Sequence, residues 1–216
     1  MLKKALLLIS FLTGVLFFPQ ASAADFVAGT HYEVLPEPVP TRDRQKIEVV
    51  ELFWYGCTHC FHFEPLIKTW KSKQPTDVDY HAVPAMWNKK MALHAQAFYT
   101  AQSLGILEKI HEPFFNRLNV QKKSLNDENE LADFFAGFGV DREKFRKTFN
   151  SFGVTSQVNL ADSRARSYRI QGTPEMIVNG KYRVSSSQTG SQARMLEVVD
   201  FLVAKERAAL VAPAKK

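Results

Sequence analysis

The 216 residues are 45% hydrophobic and 23% charged, which suits one ordinary globular core with a small insertion. The formal charge is +6, but Lys and Arg are interleaved with acids, as in Asp141-Arg142-Glu143-Lys144, so the clustered basic surface of a nucleic-acid binder is not expected. There are only two cysteines, Cys57 and Cys60, which excludes a structural zinc site built from two cysteine pairs.

The chain opens with the cationic Met1-Leu2-Lys3-Lys4, an apolar run from Ala5 to Phe18, and Ala21-Ser22-Ala23 at the positions a signal peptidase reads. An apolar run of about 14 residues falls short of the ~20 that a membrane-spanning helix needs. Residues 1–23 therefore read as a cleaved secretory signal, and the mature chain as a soluble protein of charge +4, because the segment removed holds two Lys and no acid. Export also places the two cysteines where a disulfide can persist.

Elements follow in order. His31 to Val34 is a short strand candidate, and the Pro-rich connector Leu35 to Pro40 should be extended. Ile47 to Tyr55 is nearly continuous apolar sequence, the mark of a strand buried on both faces, with Glu51 as its one polar residue deep in the run. Gly56 and Cys57 end it. From Thr58 to Lys73 the apolar residues Phe63, Leu66, Ile67 and Trp70 recur at helical spacing, with Pro65 expected to kink the helix. Val78 to Val83 is a second strand, so this stretch is a βαβ unit with a parallel pair.

A strand-free block comes next. Met91 to Leu104 favours helix, and Leu107, Ile110, Phe114 and Leu118 continue a helical stripe interrupted at Pro113. Ser124 to Asp127 resembles a capping box ahead of Leu131, Phe134, Phe135 and Phe138. Asp141 caps a helix carrying Phe145 and Phe149, and Val154 to Ile170 is another helical run. The block reads as an inserted subdomain with its own Phe-rich core. Strands return as Met176-Ile177-Val178 and Tyr182-Arg183-Val184 around Asn179-Gly180, a hairpin signal. Ser191 caps a last helix with Met195, Val198, Val199 and Leu202 on one face, and residues 208–216 read as frayed. The expected division is a signal peptide at 1–23, a first fold segment at 24–87, a helical insertion at 88–153 and a second fold segment at 154–216.

The chemistry concentrates in Cys57-Thr58-His59-Cys60. Disulfide exchange runs through a thiolate. A cysteine at the first turn of a helix has free N–H groups and the positive dipole end aimed at its sulfur, which lowers its pKa. A protonated His59 would add positive charge beside it, and Cys60 lies one turn on, close enough to close the disulfide. As a structural cross-link the pair would do little, since so small a loop restrains the unfolded chain by only about 2 kcal/mol. A c-type haem needs His after the second cysteine, and position 61 is Phe. Glu51 either relays the proton of Cys60, with burial raising its pKa, or lies on an edge strand or is simply paired with a neighbour. Thr173-Pro174 either carries a cis bond that brings its backbone beside the disulfide for an incoming peptide, or a trans proline that ends a helix; base rates alone favour trans.

Val50-Glu51-Leu52-Phe53, the Cys57–Cys60 motif, the helical block, Asn150-Ser151-Phe152 and the run Gly172 to Tyr182 together resemble the DsbA family of thioredoxin-fold thiol:disulfide oxidases, over about residues 25–205. The resemblance implies an α/β thioredoxin-like fold, a central mixed sheet flanked by helices with an inserted all-helical subdomain. It implies Cys57 as the exposed nucleophile, Cys60 as its buried partner, His59 as the residue that tunes Cys57, Glu51 as the buried acid, and Pro174 as a cis-proline that binds substrate with Thr173. The redox-active disulfide serves in place of any cofactor or metal. The expected partners are unfolded exported proteins, held along an apolar groove in the periplasm, and a DsbB-like inner-membrane protein linked to quinone. A monomer is expected. Three departures stand out. Thr58 occupies a position often held by Pro, Thr173 one often held by Val, and the strand Asp79 to Val83 lacks the Lys that often pairs with the acid. The same fold run in reverse gives a reductase or isomerase, although such isomerases generally carry a dimerisation domain for which the chain has no room. A redox-inert binding or chaperone module is the remaining alternative.

Overall fold

A computed structural model describes residues 26–211; the segment 1–23, read from the sequence as a signal peptide, and residues 212–216 lie outside them. A five-stranded sheet of order β1-β5-β4-β2-β3 forms the centre. Its strands are β1 (Glu33–Val34), β2 (Ile47–Phe53), β3 (Val78–Pro84), β4 (Glu175–Val178) and β5 (Tyr182–Ser185). Strands β2 and β3 run parallel, as the strand–helix–strand order requires, and the other pairs are antiparallel. Strand β2 lies between β3 and β4, and all seven of its residues are buried, which is why it is apolar everywhere but at Glu48 and Glu51.

Side-chain alternation along β2 assigns its two faces. Ile47 and Val49 join Met176, Val178 and Val184 in a core closed by helix α1 (Thr58–Lys71) through Phe63, Ile67 and Trp70, and by helix α8 (Gln192–Val211) through Met195, Val198, Val199 and Leu202. Val50, Leu52 and Ile177 face the other way, into a core closed by α2 (Lys89–Ser103) and α6 (Phe152–Ser167). Helices α3 (Leu107–Asn119), α4 (Glu128–Ala136) and α5 (Arg142–Phe149) complete the block, and the short α7 (Ser186–Thr189) leads into α8. Among the described residues no helix is long and apolar enough to cross a membrane.

Four sequence expectations are corrected. The phenylalanines of the helical block do not form a core of their own: Phe114, Phe135, Phe145 and Phe149 belong to one cluster with Leu52, Phe53 and Tyr55 of the sheet. Helix α3 runs through Pro113 without a break, because the buried Ile110, Phe114 and Phe115 hold its face against the core while the proline costs one backbone hydrogen bond. The cap of α4 is Asp127, whose carboxylate accepts from the N–H groups of Asn129 and Glu130, and Ser124 lies a turn too early. Helix α8 continues to Val211 across residues expected to fray, anchored just before its end by Glu206 on Lys181 and Tyr182 and by Arg207 on Asp77.

The hairpin turn behaves as its sequence signals. Asn179 and Gly180 both take left-handed backbone, at φ 51° and 62°, as a tight antiparallel turn demands. The Pro-rich connector packs against this turn: Val39 N–H donates to the Gly180 carbonyl and Leu35 N–H to that of Lys181. A Cβ on Gly180 would sit 2.0 Å from the Val39 carbonyl oxygen. Gly180→Ala therefore meets both backbone strain and a backbone clash, and should lower unfolding stability by about 2 kcal/mol or more. A urea denaturation midpoint equal to that of the wild type would contradict this packing.

Candidate active site

The site sits where β2 gives way to α1. Strand β2 ends at Phe53, the Cys57 N–H donates to the Trp54 carbonyl at 2.9 Å, and Cys57 becomes the N-cap of α1 in extended backbone. Its sulfur occupies the place of a capping oxygen, accepting from the Cys60 N–H at 3.3 Å. Gly56 is required here because the Trp54 ring lies across it, with ring atoms 2.4 to 2.8 Å from where a Cβ would be. The ring is held in turn by its own N–H, which donates to His94 Nδ1 at 3.1 Å. Burial pushes His94 down to about 4, so it is neutral; with Nδ1 accepting, Nε2 carries the proton and donates to the Leu125 carbonyl.

From the other side, residues 116 positions away complete the site. The Thr173–Pro174 peptide bond is cis, Pro174 is buried, and the Thr173 carbonyl lies 3.3 Å from Cys57 Sγ, accepting from the thiol. Both cysteines are reduced, Cys57 half-buried and Cys60 fully buried. Their environments drive the two sulfurs apart. A hydrogen bond from the Cys60 thiol is the largest influence on Cys57, followed by the Thr173 side chain and the backbone N–H groups of Cys60 and His59. Against the opposition of partial burial, these bring Cys57 down from 9.0 to about 5. Burial, reinforced by the neighbouring Cys57 sulfur, pushes Cys60 far above its ordinary value.

Glu51 lies beneath this turn on the face covered by α1, 1% exposed. Its Oε2 accepts from the Tyr80 hydroxyl of β3 at 2.5 Å, while Oε1 has no hydrogen-bond partner. Burial, then the charge of Glu64, then that of Cys57 raise the Glu51 carboxyl from 4.5 to about 8, against the lowering effect of Tyr80. An ionised carboxylate here would lose several kcal/mol of solvation, so the group keeps its proton at neutral pH.

The structure thus brings Cys57, Cys60, Thr173 and Pro174 together, with Glu51 below. Thr58 and His59 are exposed at the start of α1; the His59 backbone N–H acts on Cys57, and its carbonyl accepts from Gln192 at 2.6 Å. Sequence reasoning missed Tyr80 and Glu64. Tyr80 lies on β3, the strand where the family resemblance implies a lysine beside the acid. Glu64 follows Cys60 by four residues, one turn along the same face of α1, a spacing that could have flagged it. Its carboxylate lies 3.3 Å from His111 Nε2, whose Nδ1 meets the Tyr55 hydroxyl at 2.8 Å, and these residues lead toward a cavity of about 280 Å³ lined in part by Glu64, Tyr80 and His111. Glu48, Asp79 and His81 also converge closely enough for a metal ion, but Arg42 and Arg164 already reach Glu48, and Arg42 holds Asp79 through two hydrogen-bonding nitrogens.

Comparison with known proteins agrees with this geometry. A family profile described as DSBA-like thioredoxin domain matches residues 62–196. The thiol:disulfide interchange protein DsbA of Pseudomonas aeruginosa is 44% identical over 194 residues, covering 90% of this chain and 92% of its own. The DsbA of Azotobacter vinelandii is 43% identical over 188 residues, covering 87% and 88%. The crystal structure of Pseudomonas aeruginosa DsbA superposes with a TM-score of 0.84 at 43% identity, over 88% of this chain and 99% of that one. With a thioredoxin-like sheet, a paired Cys57 and Cys60 at the head of α1 and similarity along nearly its whole length, the chain belongs to the DsbA family of thiol:disulfide oxidoreductases.

Proposed function

We propose that the protein is an oxidase that donates the Cys57–Cys60 disulfide to newly exported proteins in the periplasm. The observation that carries this reading is the asymmetry of the pair: Cys57 caps α1, half-buried, with its sulfur accepting from the Cys60 N–H, which favours its anion, whereas Cys60 is buried, which disfavours its own. A disulfide whose reduced form holds a stable thiolate is readily given up. A client thiolate attacks the accessible Cys57 Sγ, the Cys57–Cys60 bond breaks, and its electron pair goes to Cys60. Burial disfavours that anion, so Cys60 takes a proton, which the protonated Glu51 beneath the turn supplies. A second client thiolate then attacks the client sulfur of the mixed disulfide. The client disulfide forms, Cys57 leaves as its thiolate, and two electrons have passed from client to enzyme. Reoxidation by a DsbB-like inner-membrane protein linked to quinone runs the steps in reverse, with Glu51 recovering the proton that Cys60 must lose.

The disulfide itself is the redox group, so this cycle calls for no bound cofactor. Thr173 and Pro174 offer the backbone beside which an extended client strand aligns its reacting cysteine. The exposed Thr58-His59 dipeptide sets the poise of the pair, the His59 imidazole adding positive charge near Cys57 when protonated. The signal sequence read at residues 1–23 supports the periplasmic setting.

At equilibrium with glutathione the enzyme should sit largely reduced, and Cys57→Ser should abolish oxidation of a reduced, unfolded client peptide. A potential close to that of thioredoxin, or ordinary thiol titration of Cys57, would refute the oxidase reading. Stability should also follow the two shifted groups, with opposite signs. Cys57 ionises near 5 when folded and 9.0 when unfolded, so the unfolded chain binds more protons in between, and this contribution grows as pH rises from about 5 to 9 and is lost as pH falls through 5. Glu51 keeps its proton to about 8 when folded and only to 4.5 when unfolded, so its contribution falls as pH rises across that window. Reduced-minus-oxidised denaturation free energy should therefore increase from pH 5 to 9, since only the reduced protein has the Cys57 contribution. Glu51→Gln should flatten the decline between pH 4.5 and 8 in the oxidised protein; an unaltered decline would mean that Glu51 ionises normally.

A further inference from the structure

The segment that carries Thr173 to Cys57 has no strand or helix of its own between α6 and β4, yet it is held at both ends and in its middle by one buried ion pair. Arg183, on β5, is 3% exposed, and Glu175, the first residue of β4, is 4% exposed. Their Nε and Oε2 atoms are 3.8 Å apart. The Arg183 guanidinium also donates to the carbonyl of Arg169, where the chain leaves α6 in left-handed backbone at φ 53°, and to Glu33 of β1. Glu175 Oε1 in turn accepts from the backbone N–H of Gln171 at 3.2 Å, and the Gly172 N–H also favours its ionised form. The next residue is Thr173, whose carbonyl meets the Cys57 sulfur.

A buried ion pair is poor value as a source of stability, because desolvation offsets its attraction. Two apolar side chains would fill the same space. What an apolar pair could not do is accept the Gln171 N–H or grip the Arg169 carbonyl, since those need a carboxylate and a forked guanidinium. We propose that the Arg183–Glu175 pair is the anchor that sets the Thr173–Pro174 segment against Cys57, which makes Glu175 a positioning residue of the redox site. Glu175 acts through Thr173: it holds the residue whose carbonyl accepts from the Cys57 thiol and whose side chain favours the Cys57 anion. This inference rests on the reading of Cys57 as the nucleophile.

The sign of the effect separates positioning from simple charge. A carboxylate acting directly on the sulfur would oppose the thiolate, so removing it would lower the Cys57 midpoint. A positioning carboxylate does the reverse, because its loss lets the Thr173 side chain, which favours the Cys57 anion, drift from the sulfur. In the full-length mature protein, Glu175→Ala should raise the midpoint of Cys57 thiolate absorbance by about half a unit or more, a roughly threefold weaker thiolate preference. The equilibrium with glutathione should move by a similar factor toward the oxidised enzyme. The near-isosteric Glu175→Gln keeps an oxygen that can accept one loop N–H and should fall between. A folded Glu175→Gln whose midpoint is unchanged or lowered overturns the inference. Should neither variant fold, amide hydrogen exchange in the wild type decides: Gln171 must be protected like the residues of β4, and exchange at open-loop rates overturns the proposal. The wild-type midpoint itself tests the nucleophile reading, so the two failures are distinguishable.

Discussion

The redox site depends on one electrostatic constraint: negative charge must be stabilised on the Cys57 sulfur and disfavoured on that of Cys60, a single helical turn away. The N-terminus of α1 satisfies both demands with the same turn. Its free N–H groups point at the capping sulfur of Cys57, while Cys60, inside the turn, is driven into a core that offers its anion little. No metal ion or bound cation is needed for this asymmetry. Backbone geometry supplies the donors, and burial sets the difference.

Strand β2 is the member on which that geometry hangs. Paired on both edges and buried along its whole length, it fixes where the turn begins. The same burial gives Glu51 its proton, since a carboxyl with one phenol for a partner and one oxygen unpartnered is held neutral by its surroundings. The helical block then braces the end of the strand. Tyr55 stacks on Phe114 of α3 with ring centroids 4.0 Å apart, and Asn119 donates to the Tyr55 carbonyl at 2.8 Å. The block is thus part of the site's foundation, which explains why its phenylalanines run into the core of the sheet.

Much of the fold was legible in the sequence because its signals are local. Apolar, largely β-branched and aromatic residues mark β2, helical spacing marks α1, Asn179-Gly180 marks the hairpin, and Asp141 marks the start of α5. The misreadings share a cause. The local propensities of Pro113 and Ser124 point one way, and burial of Ile110, Phe114 and Phe115 in one case, and a better-placed Asp127 in the other, decide the outcome.

The sequence by itself determined that two cysteines stand at a strand-to-helix junction, that a carboxylate lies within an apolar strand, and that the chain resembles one redox family. Periodicity records which face of an element is buried, and motif spacing records what a single turn can bring together. Neither records what a face is buried against. Only the tertiary structure brought the Tyr80 hydroxyl to Glu51, laid Glu64 against His111, and carried Thr173 across 116 residues to Cys57. Those contacts depend on how strands pair and helices pack across the chain, and the chemistry of the site depends on them.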